Sequence, residues 1–210
     1  MPRGDVLISS FQFDLTDPLE LSLFNRKKAI SEDDYDAFTD QLNKDVEFQL
    51  YELTSNANHW HEAGEDQITT CLVGALKAMG YNASHDSNHN GHVDINIQYG
   101  NFKWLGECKL QKGDENTYKG FNQLTTRYSR GNDYEYRGGI IVYHQNTHKT
   151  ALDSLQGWRD YIRSIKDPVI HCSNIPNRKL YFDSTHRHIY SGYDYCIRHF
   201  WVNIAHNPKV

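Results

Sequence analysis

Asp94, Glu107 and Lys109 lie near the two ends of one short stretch, DINIQYGNFKWLGECK, that is otherwise largely apolar and aromatic. Apolar and polar residues alternate on both sides of Gly100-Asn101, and a Gly-Asn pair between two alternating runs signals a two-residue hairpin. Such a turn fixes the register. Tyr99 then faces Phe102, Ile97 faces Trp104 and Asp94 faces Glu107, with Lys109 on the same side of its strand as Glu107. Val93, Ile95, Ile97, Tyr99, Phe102, Trp104, Cys108 and Leu110 are expected to form the opposite, packed face. Carboxylates opposed across a hairpin repel, so something positive belongs between them, either Lys109 or a bound cation. One or two carboxylates can hold a hard divalent ion when waters complete its shell, and an ammonium beside them can steady an anionic group. The plain alternative is a cross-strand charge cluster on a solvated sheet face.

The elements that would position these residues follow from periodicity. Residues 1–18 suggest irregular or strand structure ending at Pro18, and 31–53 an acidic helix with Ser31 as its N-cap. A polar break at 55–60 precedes a second helix over 62–79, where Ile68, Leu72, Ala75, Leu76 and Met79 recur at helical spacing and Gly80 stops the run. Glu65 stands three residues before Ile68 and seven before Leu72, on that helix's inward face, where a carboxylate needs a partner; a first-turn acid favoured by the helix dipole is the simpler account. After a loop at 82–92 and the hairpin, a polar connection at 112–120 leads to a helix near 119–130, a buried strand at 137–144, an amphipathic helix at 148–165 and late strands in PVIHC, KLYFD and GYDYCIRHFWVNI. This order predicts an α/β fold with helices on a central sheet.

Composition sets bounds on this picture. Twenty-seven aromatic side chains (14 Tyr, 9 Phe, 4 Trp) can build a core from a chain of only 38% hydrophobic content. No run is long and apolar enough for a membrane span, the first residues lack a signal-peptide pattern, and four widely spaced cysteines suggest free thiols; a cytoplasmic protein with no membrane partner is expected. Charge is uneven: residues 1–58 carry 12 acidic and 5 basic side chains, residues 59–210 carry 15 and 17. An acidic N-terminal extension (1–58) is therefore expected beside the main domain (59–210), and its charge could restrain or assemble that domain by filling a basic groove. His85, His89, His92, His186 and His188 invite a zinc reading, but neither H-E-x-x-H nor C-x-x-C accompanies them. The chain has no G-x-S-x-G elbow and no Gly-rich phosphate loop.

Asp94, then Glu107-Cys108-Lys109 on the next strand, after a helix bearing Glu62 and Glu65, resembles the PD-(D/E)XK nuclease superfamily over roughly residues 60–145. Val93 stands where that pattern has Pro. Gln123 with Tyr128 resembles a Gln–Tyr pair of some nuclease branches, at a spacing of five that differs from theirs. The resemblance implies a restriction-endonuclease-like core with a mixed central sheet. It implies Mg²⁺ (or Mn²⁺) held by Asp94, Glu107 and a helix carboxylate, Glu65 or alternatively Glu62, with the Cys108 carbonyl a further ligand and Lys109 orienting water or phosphate. Gln123 joins the catalytic set. Lys119, Arg127 and Arg130, with Arg137 extending the run, would follow a phosphate backbone. The expected activity is metal-dependent hydrolysis of nucleic acid, DNA before RNA, as an endonuclease effector of bacterial restriction or anti-phage defence acting with a protein partner or as a homo-oligomer. The competing expectation is a non-catalytic interaction protein built on the same fold.

Overall fold

The computed structural model describes residues 12–85, 87–88 and 92–208; His89 lies outside them. The first helix, α1 (Pro18–Ser31), starts where the sequence suggested an irregular segment ends. Asp17 caps it by accepting from the Leu19 and Glu20 amides, and Pro18 sits in the first turn, where its missing N–H costs nothing. The acidic helix, α2 (Tyr35–Ser55), is capped by Asp34 and not by Ser31, which closes α1. A short α3 (Ala57–Trp60) falls in the polar break, and α4 (Glu65–Ala78) ends just before Gly80. Then come β1 (Ala83–Ser84), a small ladder of β2 (Ser87–Asn88) with β3 (His92–Val93), and the hairpin of β4 (Ile95–Tyr99) and β5 (Phe102–Leu110). Next is α5 (Asp114–Asn122), which runs on as a π-helix over Gln123–Tyr128. It begins inside the stretch expected to be a connection, with Asp114 and Glu115 placed where the helix N-terminus favours acids. The chain continues through β6 (Arg137–His144), α6 (Ala151–Arg163), β7 (His171–Asn174), β8 (Tyr181–Arg187) and β9 (Asp194–Asn203).

Seven strands form one mixed sheet in the order β1-β4-β5-β6-β9-β8-β7, with β5, β6 and β9 parallel and the outer pairs antiparallel. Helices cover both faces, as the α/β expectation required. On one side Phe38, Leu42, Val46 and Leu50 of α2 and Ile68, Leu72 and Leu76 of α4 pack on Ile95, Ile97, Trp104 and Cys108. On the other, Phe121 of α5 and Leu155, Trp158 and Ile162 of α6 pack on Leu105, Ile140, Val142 and Trp201. Residues 35–53, counted in the acidic extension by composition, are thus part of the main core. Their acids pair with basic groups from the other half of the chain: Asp40 and Asp36 with Arg137 at 2.6 and 3.4 Å, and Glu47 with Arg178 at 2.7 Å. Arg137 is thereby engaged away from the expected basic run.

No helix among the described residues is long and apolar enough to cross a membrane. The four cysteines are free thiols. His186, His188 and His199 are buried inside the fold, and burial holds each ring below its ordinary value. Trp158 donates its indole N–H to His199 Nδ1 at 3.2 Å, leaving His199 Nε2 to donate to Ser184 Oγ at 2.8 Å. Burial lowers the His186 and His199 rings to about 4 and about 3.

Candidate active site

The hairpin has the register its turn demands. Tyr99 pairs with Phe102 and Ile97 with Trp104, and Gly100 takes φ +57°, a value open to the first residue of a two-residue turn when it lacks a Cβ. The last pair is Ile95 with Gly106; at Asp94 the chain bends away, so the expected pair of Asp94 with Glu107 is not part of the ladder. That bend turns Val93 from the expected packed face into the opposite core, beside Leu105.

It also strips β5 of its neighbour on one side. The amides of Cys108 and Leu110 point into the vacated edge, and buried amides must find acceptors. Asp94 Oδ2 takes the Cys108 N–H at 2.8 Å, and Glu65 Oε2 takes the Leu110 N–H at 2.6 Å. Two carboxylates from separate elements thus stand where strand carbonyls would, and the open sheet edge draws them together.

Glu107 and Lys109 project from β5 toward α5. Lys109 Nζ lies 2.8 Å from Glu107 Oε1, 3.3 Å from Glu65 Oε1 and 3.6 Å from Asp94 Oδ2, and donates to the Cys108 carbonyl at 2.9 Å. The carbonyl expected to be a further metal ligand is therefore in contact with the ammonium. Glu62 takes no part: its side chain is 87% exposed and stands 3.8 Å from His61. Helix α5 presses close through Gly120, where a Cβ would stand 3.0 Å from Lys109 Cε and 3.1 Å from Glu107 Cγ. Sequence inspection missed Gly120, because nothing local marks a glycine needed for the approach of another element.

Gln123 is half-buried and opens the π-helix one turn after Gly120. The Ser129 amide bonds to the Leu124 carbonyl at 3.1 Å, five residues back. Such a turn is wider than an α-helical one. Burial first, and then the negative charges of Glu107 and Asp94, raise the Tyr128 phenol above its ordinary value, so its hydroxyl stands in the field of the cluster. Lys119, Arg127 and Arg130 are exposed on the same helical segment and just beyond it. His85 lies near enough for its charge to lower Asp94, and its Nδ1 is 3.3 Å from Thr70 Oγ1.

The electrostatics follow from three carboxylates around one ammonium in a half-closed place. Burial, reinforced by Asp94, pushes Glu107 up to about 8 despite its ion pair with Lys109. Burial also raises Asp94, with Lys109 and the Cys108 amide opposing it. Burial alone would depress Lys109, but Glu107, Asp94 and Glu65 hold it above its usual range. Glu107 Oε2 is buried without a hydrogen-bond partner.

Among the described residues no three His, Cys, Asp or Glu side chains form a ready metal-binding group. Mg²⁺ needs no such cage, since it keeps several waters and takes one or two carboxylates. Hard oxygen donors in excess of positive charge, one of them unpartnered, fit that ion. Comparison with known proteins finds no matching family model, no similar curated protein and no similar solved structure.

Proposed function

We propose that this chain is a metal-dependent nuclease with a restriction-endonuclease-like core, hydrolysing phosphodiester bonds at the Glu65–Asp94–Glu107–Lys109 cluster. The observation that carries the reading is the buried, unpartnered Glu107 Oε2 among three carboxylates that share a single ammonium, at a bend which opens the sheet edge. When bound by Asp94 and Glu107, Mg²⁺ or Mn²⁺ supplies an acidified water and neutralises charge on the phosphate.

The protein's own groups have separate tasks. Asp94 is fixed by the Cys108 amide, and Glu65 by the Leu110 amide, so neither must be ordered when substrate arrives. Lys109, held from three sides, orients the attacking water and offsets charge that develops on the phosphate oxygens. Glu107 must lose a proton before it can hold a cation, because burial keeps that proton on to about pH 8. Gly120 lets α5 roof the site, and the Tyr128 phenol borders it. Exposed Lys119, Arg127 and Arg130 offer charge to a phosphate backbone.

A second reading has its own support. Lys109 already contacts all three carboxylates and the Cys108 carbonyl, as a purely structural ion cluster in an interaction protein would. Incubation with labelled single- and double-stranded DNA and RNA separates the two. Cleavage with Mg²⁺ or Mn²⁺ that stops with a chelator is expected. Intact substrate under every condition would leave the interaction reading.

A further inference from the structure

The turn between β8 and β9 holds Ile189, Tyr190 and Tyr193, each more than half exposed. Large apolar side chains gathered on one tip need a reason, and this tip is not loose. His188 is buried beneath it: its Nδ1 accepts from the Tyr190 and Ser191 amides at 3.3 and 3.4 Å, and its Nε2 lies 3.0 Å from Ser129 Oγ. The His188 amide donates to the Tyr193 carbonyl at 2.8 Å, and the Gly192 amide to the His188 carbonyl at 2.9 Å. The fold thus uses a buried imidazole and several backbone bonds to present rings to solvent.

We propose that this turn is a stacking platform for unpaired bases of a nucleic-acid strand; as a substrate surface it rests on the nuclease reading above. Positive charge meets one of its rings directly. The Arg130 guanidinium lies 5.3 Å from the Tyr190 ring centroid, a cation–π arrangement. Arg187, next to His188 in the chain, is exposed and faces the exposed Asp194 across the ladder. The platform is joined to the site through a short segment: Ser129, held by His188, directly follows Tyr128, whose hydroxyl feels Glu107 and Asp94. Phosphates alone would be served by Arg130, whereas exposed tyrosine rings suit the π-faces that unpaired bases present all along a strand and a duplex presents at its ends alone.

The test is binding, measured in chelator so that nothing is cut. Fluorescence anisotropy with a labelled oligothymidylate and a blunt duplex compares wild type with the Tyr190→Ala/Tyr193→Ala double variant. Thermal melting checks the fold, which should hold because both rings are solvent-facing. Affinity for the single strand should fall at least ~10-fold, while duplex affinity changes much less, since each stacked base contributes on the order of 1–3 kcal/mol. Unchanged single-strand binding, an equal loss on both ligands, or no wild-type binding would overturn the platform. So would a self-association, seen by gel filtration, that the double variant abolishes. Cleavage is assayed separately. Strand binding without cleavage keeps the platform and ends the nuclease reading; cleavage with tyrosine-independent binding does the reverse.

Discussion

Glu107→Gln should make the protein more stable in alkaline solution and leave it nearly unchanged in acid. The Glu107 side chain is 2% exposed, and burial with the nearby Asp94 moves it from 4.5 to about 8. Between those values the folded protein keeps a proton that the unfolded chain has released. The folded state then binds more protons than the unfolded one, so stability falls as pH rises through that window. At about 1.4 kcal/mol for each pH unit of the window, the full loss would approach 5 kcal/mol; sharing of charge among Lys109, Asp94 and Glu65 brings the expected loss to about 1–3 kcal/mol. Glutamine has the same shape, can still accept from Lys109 and does not titrate. Urea unfolding of both proteins at pH 5, 6.5 and 8.5, with chelator present, measures the difference. The buried histidines are common to both and cancel. The variant should be equal or slightly weaker at pH 5 and stronger at pH 8.5. A gap that does not change with pH would refute the assignment of a buried, proton-holding carboxyl.

Other perturbations separate the site from the scaffold. Gly120→Ala gains up to about 1 kcal/mol of helix propensity, but its Cβ would crowd Lys109 and Glu107; melting should shift little while cleavage falls at least ~10-fold by loss of positioning, and unaltered kinetics would deny the close roof a role. Tyr128→Phe should leave the fold intact and move the alkaline fall of cleavage to higher pH, because the titrating phenol is gone; identical pH–rate profiles would place Tyr128 outside the chemistry. His186 and His199 have folded values below their usual 6.5, so their contribution is complete above pH 6.5 and is lost as pH falls toward 4. Unfolding measured from pH 7 to pH 4 should show that decline, and imidazole resonances should stay in the neutral form until the protein unfolds; protonation near pH 6.5 in the folded state would contradict it.

The hairpin was legible because a two-residue turn leaves no freedom of register, and Gly100-Asn101 announced the turn. Helices α4 and α6 were legible through their apolar spacing. The face of Val93 was misjudged because alternation presumes an unbroken strand, and the bend at Asp94 restarts it. Pro18 was taken for a stop although the same residue type opens helices; Asp17 before it was the usable signal. Choosing Glu65 over Glu62 required the unpaired Leu110 amide, which depends on where β4 leaves β5. Engagement of Arg137 by Asp36 and Asp40 joins residues about a hundred positions apart, and no local pattern encodes it. Gly120 and the turn under Tyr190 owe their meaning to neighbours from other elements in the same way.

The central claim is that Asp94 and Glu107 hold a catalytic cation while Lys109 acts on the reaction itself. Calorimetric Mg²⁺ or Mn²⁺ titration beside a cleavage assay, on the same folded preparations of wild type, Asp94→Asn and Lys109→Met, tests it most directly. Asp94→Asn should lose metal binding and cleavage together. Lys109→Met should keep much of the metal affinity and lose cleavage by on the order of 100-fold or more, the usual cost of removing one charge-stabilising contact. Cleavage by folded Lys109→Met at the wild-type rate would show that the cluster is only a charged sheet edge.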